Sequence, residues 1–159
     1  MVTVRPPAEM ATPQRLRSAR YQRPDAHIKH VSTDQGHYRR LAQRDGFDDA
    51  LLVSADDVVS ETTLANVGFF DGAAVLWPDA PMLHGITMQL LERELPGRGV
   101  PSRRPTVRLR DLASLDGAFL CSARGIAAVT AIDQVSLPAR PEGLATLAEG
   151  YASVAWDRV

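Results

Sequence analysis

Lysine is almost absent from this sequence: seventeen arginines stand against a single lysine, Lys29, in Ala26-His27-Ile28-Lys29-His30-Val31. A desolvated lysine can lose its proton and then act as a nucleophile or base, which a guanidinium effectively cannot. The competing reading is that a bias toward arginine left one surface lysine behind, and composition alone does not separate the two. Cysteine is equally scarce. Cys121 stands alone, which excludes an intramolecular disulfide and fits a reducing compartment. No apolar run approaches the ~20 residues that span a bilayer, and residues 1–7 show no apolar core of a secretory signal. A cytoplasmic protein with no membrane partner is therefore expected. Charge of one sign is lacking too: the net charge is −1 and aromatics make up 6 %, which argues against an arginine-rich nucleic-acid module. At 159 residues the chain is long enough for one domain with a real core.

Residues 1–25 read as a linker or as the last strand of something begun upstream. Val2-Thr3-Val4 suits a strand, but Arg5-Pro6-Pro7 and Thr12-Pro13 break regularity. Arg15, Arg17, Arg20 and Arg23 then suggest a solvated basic face. Residues 26–159 read as the domain proper. Thr33 or Asp34 caps a helix to about Arg44, with Tyr38, Leu41 and Ala42 as its apolar stripe and Gly46 as its stop. Residues 48–54 and 58–61 predict two strands of a hairpin. Residues 67–70 and 73–77 predict another around Asp71-Gly72, the clearest turn in the chain. A helix follows over 87–95, with Leu91 and Leu95 spaced by four and Pro96-Gly97 as its stop. Strands are expected at 106–109, 117–121 and 126–132, a short helix or turn at 110–115, and an amphipathic helix over 142–156. Many hairpins and few helices make this an α+β chain.

Three further features carry chemistry. Ser60-Glu61-Thr62-Thr63-Leu64-Ala65-Asn66 places a carboxylate at a strand end before a polar loop. Leu83-His84-Gly85-Ile86-Thr87 opens a helix, where free N–H groups and the dipole favour a phosphate. Leu120-Cys121-Ser122-Ala123-Arg124-Gly125 is a small polar turn between strands. Each is weak alone, since loops hold Ser and Thr and Glu61 could be solvated. A lysine, a carboxylate and two phosphate-ready turns in this order are far more specific, and no metal-ligand set accompanies them.

This order resembles the class IV aminotransferases, pyridoxal-phosphate enzymes of fold type IV that include branched-chain and D-amino-acid aminotransferases and aminodeoxychorismate lyase. The resemblance runs from about Ile28 to Ile132. It rests on Ile28-Lys29-His30, Asp48-Asp49-Ala50-Leu51-Leu52, Glu61 to Asn66 with Val67-Gly68-Phe69-Phe70, Leu83 to Thr87, and Cys121 to Val129. It implies the α+β large domain of that fold and pyridoxal 5'-phosphate as cofactor. Lys29 would hold the cofactor as a Schiff base and serve as the acid/base for the substrate's α-proton. Glu61 would pair with the pyridine nitrogen and keep it protonated. Ile86, Thr87 and Ser122 would take the phosphate, and Asn66 matches a loop asparagine that binds near the cofactor or shapes the loop. A homodimer acting on amino acids and 2-oxo acids is implied, either as a transaminase or as an aminodeoxychorismate-lyase-like enzyme.

Four departures qualify what the resemblance implies. The family's glycine after the glutamate is Thr62, so a position that tolerates positive φ has lost its usual residue. The proline of "P-G-I-T" is His84, and the tyrosine of branched-chain enzymes is Asp34. The small N-terminal domain of the family, with its phosphate arginine and part of the pocket, has almost no counterpart here. A truncated, catalytically inactive remnant is thus a second expectation, with an apolar face left open for dimerisation or aggregation.

Overall fold

The computed structural model describes residues 8–30 and 33–155. The possible strand at 2–4 lies outside the described residues.

Among the described residues, nine strands join in one sheet, with three α-helices around it. β1 (Gln14–Arg20) is parallel to β2 (Asp49–Val53) on one side and to β8 (Gly125–Ile132) on the other. The path continues from β2 to β3 (Val59–Thr62), and from β8 through β7 (Gly117–Ser122) to β4 (Asn66–Asp71). Glu61 pairs with Asn66, which joins β3 to β4, so the order β3-β2-β1-β8-β7-β4 returns on itself as a closed ring. Closure removes the free edges that these strands would otherwise present. β5 (Ala74–Leu76) and β6 (Ser102–Arg103) extend outward from β4, and β9 (Val135–Ser136) lies on β8.

The inside of the ring is filled from every side. Leu16, Leu51, Val59, Val67, Phe69, Leu120, Val129 and Ile132 belong to one buried cluster. The outer face is covered by helices. α2 (Ile86–Glu94) and α3 (Pro141–Ala152) contribute Met88, Leu91 and Leu147 to a second cluster with Phe70, Trp77, Phe119 and Cys121. α1 (Thr33–Arg44) packs Ala42 against Ala50 and Leu52. Strands covered on both faces read as apolar runs rather than as alternation, which is the pattern of β2 and β4. Each large side chain buried this way stabilises the fold by roughly 1.5–3 kcal/mol. Gly68 is sterically required, because a Cβ there would lie 2.3 Å from the Phe119 ring.

Three sequence readings change in detail. Residues 14–20, read as linker or as an upstream strand, form β1 inside the ring. Gln14 and Leu16 point inward, while Arg15 and Arg17 are exposed. The strand expected at 106–109 shrinks to a single bridge between Val58 and Arg108. There Asp111 accepts the Arg108 N–H at 2.9 Å and turns the chain into a 3-10 helix, Leu109–Ser114. In α1, Leu41 is exposed and Tyr38 half-buried, so the stripe rests on Ala42 and on Tyr38, whose ring is tilted against that of Tyr21 with centroids 4.8 Å apart. Gly46 ends α1 at φ 83°, as expected of a left-handed C-cap.

Candidate functional site

The site is assembled where the ring closes. Glu61 lies on β3, nearly fully buried, directly opposite Asn66 on β4. Between them the chain turns within residues 63–65, and Thr62 holds that turn. Its hydroxyl donates to Ala65 O at 3.1 Å and accepts the N–H groups of Ala65 at 3.0 Å and Leu64 at 3.4 Å. Asp25, Asp57 and Asp133 are the described non-glycine residues with positive φ, so Thr62 avoids the left-handed region that its glycine counterpart tolerates. As the last residue of β3, Thr62 is in extended backbone that suits a β-branched side chain, and its hydroxyl adds these bonds to the turn.

A buried guanidinium ties Glu61 to the stretch carrying Lys29. Arg23 Nε donates to Glu61 Oε1 at 3.0 Å, Nη1 to Ile28 O at 2.9 Å, and Nη2 to Ala26 O. One side chain therefore fixes the carboxylate and the turn at 24–28, and Lys29 follows directly. Lys29 itself is exposed, so the described residues alone do not desolvate it. Burial pushes the Glu61 carboxyl up from its ordinary range. The Arg23 charge and hydrogen bond pull it back, helped by the Leu83 N–H and by the more distant charge of Lys29.

The other oxygen, Glu61 Oε2, accepts the Leu83 N–H at 3.3 Å. Asn66 grips the same segment through both ends of its amide. Nδ2 donates to Leu83 O at 2.6 Å and lies 3.6 Å from Met82 Sδ, while Oδ1 accepts the Gly85 N–H at 3.2 Å. Gly85 has to be glycine here, since a Cβ would lie 2.4 Å from Asn66 Oδ1. Gly85 is also the N-cap of α2, which has no side-chain cap and no acid in its first turn. Its positive end is thus open to an anion. Thr87 is buried at this end and Ile86 is 69 % exposed. Ser122 ends β7, one residue beyond the Asn66↔Cys121 pair, and its Oγ accepts the Arg124 N–H at 3.1 Å, leaving its own O–H as a donor. A cavity of about 280 Å³ opens beside Ser122, Leu64 and Ala65, while Lys29, Glu61 and Thr87 are not on its wall.

The sequence matches a protein-family model, amino-transferase class IV, over residues 1–132. The chain belongs to the class IV aminotransferase family. No curated protein sequence matches it. Solved structures with the same fold include a putative 4-amino-4-deoxychorismate lyase from Legionella pneumophila, 24 % identical with a TM-score of 0.81 over 88 % of this chain and 55 % of that one. A hypothetical aminotransferase from Mycobacterium tuberculosis in its PLP-bound form is 25 % identical with a TM-score of 0.80, covering 89 % and 55 %. A fold IV transaminase from Curtobacterium pusillum is 23 % identical with a TM-score of 0.79, covering 89 % and 54 %. The chain spans about half the length of these structures.

In this member of the class IV aminotransferase family, Glu61, Asn66, the segment before α2 and the Lys29 stretch form one connected network, with Arg23 as its hub. Arg23 was not singled out from the sequence. It reads there as one of four arginines on a solvated face, and its only signal is the place just before Pro24 and the turn that folds back on it. Arg124 is not part of the network. Its guanidinium donates to Ala8 O at 3.2 Å and Glu9 O at 3.0 Å, holding the start of the described chain. Cys121, next to Ser122, is buried, which holds its thiol far above the usual range, with the Glu92 charge adding to this, so it is an inert packing residue.

Proposed function

We propose that this chain binds pyridoxal 5'-phosphate covalently through Lys29 and acts on amino acids and 2-oxo acids as a class IV aminotransferase. The observation that carries the reading is the Arg23 guanidinium, which joins a buried carboxylate to the turn presenting the only lysine. The donor set suits the cofactor: a carboxylate for a protonated ring nitrogen, an amine for an aldehyde, and open N–H and hydroxyl donors for a phosphate. Bound pyridoxal phosphate supplies a carbonyl that condenses with amines and a ring that takes up electron density from the substrate Cα.

The chain's own residues have separate tasks. Glu61 has two contacts, to Arg23 and to the Leu83 N–H, and a carboxylate offers about four lone-pair sites. It can therefore still accept from a ring N–H and keep that proton in place. Lys29 Nζ would take the proton from the substrate Cα and return it. The first N–H groups of α2 with Thr87, and the Ser122 hydroxyl, would hold the phosphate. Both amide hydrogens of Asn66 are engaged with Leu83 and Met82, so we assign Asn66 to positioning the phosphate turn rather than to direct donation.

Desolvation of Lys29 has to come from whatever covers this face. Three of the four large exposed hydrophobics among the described residues, Ile28, Leu64 and Ile86, flank Lys29, Ala65 and Thr87. We read them as the margin of a homodimer contact, in a cytoplasmic protein; sedimentation of the purified chain checks the first point. The helices among the described residues include none long and apolar enough to cross a membrane.

The test is a visible spectrum with added pyridoxal phosphate, before and after borohydride, beside Lys29→Ala. Wild type should retain a phosphopyridoxyl group on Lys29 after reduction, located by peptide mass, and the variant should not. A folded wild type without this label would refute the reading. Turnover with D- and branched-chain amino acids, or release of pyruvate from aminodeoxychorismate, then separates transaminase from lyase, and label without turnover identifies a cofactor-binding remnant.

A further inference from the structure

The turn opening α2 is held from the inside by Asn66 and Glu61. Its outer side carries an arrangement to which the proposed chemistry assigns no task. His84, the residue before Gly85, places Nε2 2.6 Å from Glu92 Oε2, eight residues along the chain. Arg104, from the loop after β6, clamps the same carboxylate, with Nε to Oε1 at 2.9 Å and Nη2 to Oε2 at 2.9 Å. Arg104 Nη2 also lies 2.8 Å from His84 Nε2. The His84 carbonyl is engaged as well, accepting Gln89 Nε2 at 2.7 Å.

We infer that the His84–Glu92–Arg104 bridge is a positioning device that fixes the Gly85–Thr87 turn for phosphate, resting on the reading that this turn takes the cofactor's phosphate. The inner contacts and the Gln89 bond reach backbone groups only and leave the side of His84 unheld, while α2 lacks a side-chain cap and Gly85 is of the residue type with the greatest backbone freedom. In the family pattern a proline stands at position 84, and its ring would restrain φ there. His84 has no such restraint, and the bridge supplies one from outside. A lone exposed ion pair would hold little. Here the planar fork of Arg104 grips both carboxylate oxygens of Glu92, and Glu92 is only 19 % exposed, which fixes the geometry more firmly. His84 and Arg104 are positioning residues and touch no reacting atom.

The bridge also contains a competing explanation with the opposite sign. If Arg104 served mainly to attract phosphate, neutralising Glu92 would free its charge and strengthen binding. If the bridge positions the turn, the same change weakens binding. The experiment therefore measures the affinities of pyridoxal phosphate and of pyridoxal, which lacks the phosphate, for wild type and for His84→Ala, Glu92→Gln and Arg104→Ala. Amide hydrogen exchange at Gly85 and Gln89, whose N–H groups are bonded to Asn66 Oδ1 and Gly85 O, is followed without ligand. Each variant should lose roughly three- to tenfold in affinity for pyridoxal phosphate and leave pyridoxal unchanged. Exchange at Gly85 and Gln89 should quicken, and Glu92→Gln should add nothing to His84→Ala. His84→Pro should restore what His84→Ala loses. Stronger phosphate binding by Glu92→Gln, or equal changes for both ligands, would overturn the inference. If wild type takes up no pyridoxal phosphate while exchange at the turn still responds to the bridge, the cofactor reading falls and the bridge stands as what orders the turn. Exchange that ignores all three substitutions refutes the bridge whatever the binding result.

Discussion

Replacing Arg23 with alanine removes the guanidinium that the buried Glu61 carboxylate touches, and with it two bonds to the turn before Lys29. The side chains of the pair are 3 % and 7 % exposed, so water cannot take the place of the lost partner without opening the site. Breaking a buried pair from one side costs about 3–5 kcal/mol, because it strands the remaining charge. The carbonyl of buried Ala26 loses its donor as well, adding about 1 kcal/mol, whereas Ile28 is exposed and its carbonyl can be hydrated. A loss of about 5 kcal/mol with a urea slope of about 2 kcal/mol/M lowers the unfolding midpoint by about 2.5 M.

The decisive assay is the cycle with Glu61→Gln, measured by urea unfolding. In wild type this substitution should destabilise, because Arg23 is then the stranded charge. In the Arg23→Ala background it should stabilise by about 2 kcal/mol, because it removes the stranded carboxylate. Acidity gives an independent check. Without Arg23, burial is opposed only by the Leu83 N–H and the more distant Lys29 charge, and the folded-state carboxyl of Glu61 moves further up. The folded state then binds the extra proton, so the deficit of Arg23→Ala should shrink as pH falls from 7 toward the carboxylate range. An Arg23→Ala chain within about 1 kcal/mol of wild type, or a Glu61→Gln change with the same sign in both backgrounds, would refute the reasoning.

Two further outcomes follow from the same network. Gly85→Ala forces the new Cβ against Asn66 Oδ1, so it should weaken pyridoxal phosphate uptake in wild type and do less harm in an Asn66→Ala background, where the clash is gone; additive losses on titration would sink this. Asp49 accepts the Thr63 hydroxyl at 2.5 Å, and burial raises its carboxyl above the ordinary value despite bonds to Thr63 and the Ala50 N–H and the charge of Arg39. Its folded state holds the proton longer than the unfolded chain, so unfolding free energy should fall as pH rises from about 4 through that raised value. Asp49→Asn should flatten this slope, leaving the part of equal sign that Glu61 contributes. Urea midpoints that run parallel for the two proteins across this range would refute it.

Much of the fold was legible because its signals are local. Asp71-Gly72 between apolar runs specifies the β4–β5 hairpin, and Gly46 specifies the end of α1, whatever the rest of the chain does. What was illegible depends on distant partners. Arg15 and Arg17 alternate with Gln14 and Leu16 at the period of a strand, but the charges dominate the reading until β2 and β8 are known to flank the segment. Val107 has the composition of a strand residue, yet it ends as a single acceptor for the Val59 N–H at 2.8 Å, because Asp111 captures the next amide. Closure of the ring at Glu61↔Asn66 leaves no trace in either residue's neighbours alone.

The site shows the same division at finer scale, and the division has a physical cause. Lys29, Glu61, Thr87 and Ser122 are chemical groups at chain positions, so a pattern of residue types can point to them. What holds the Lys29 stretch, Glu61 and the turn before α2 in register is a set of bonds between a side chain and someone else's backbone: Arg23 to Ala26 O and Ile28 O, Asn66 to Leu83 O and the Gly85 N–H, Glu61 to the Leu83 N–H. Backbone groups carry no residue identity, so half of every such contact is invisible in the sequence. The same property explains how the family's glycine can become Thr62. The turn needs its N–H and C=O groups met, and a hydroxyl can meet both kinds at once, as it does with Ala65. A substitution at such a position is therefore to be judged by the backbone bonds it restores before the chemistry it resembles, and His84, bridged to Glu92 and Arg104 where the pattern has proline, falls under the same criterion.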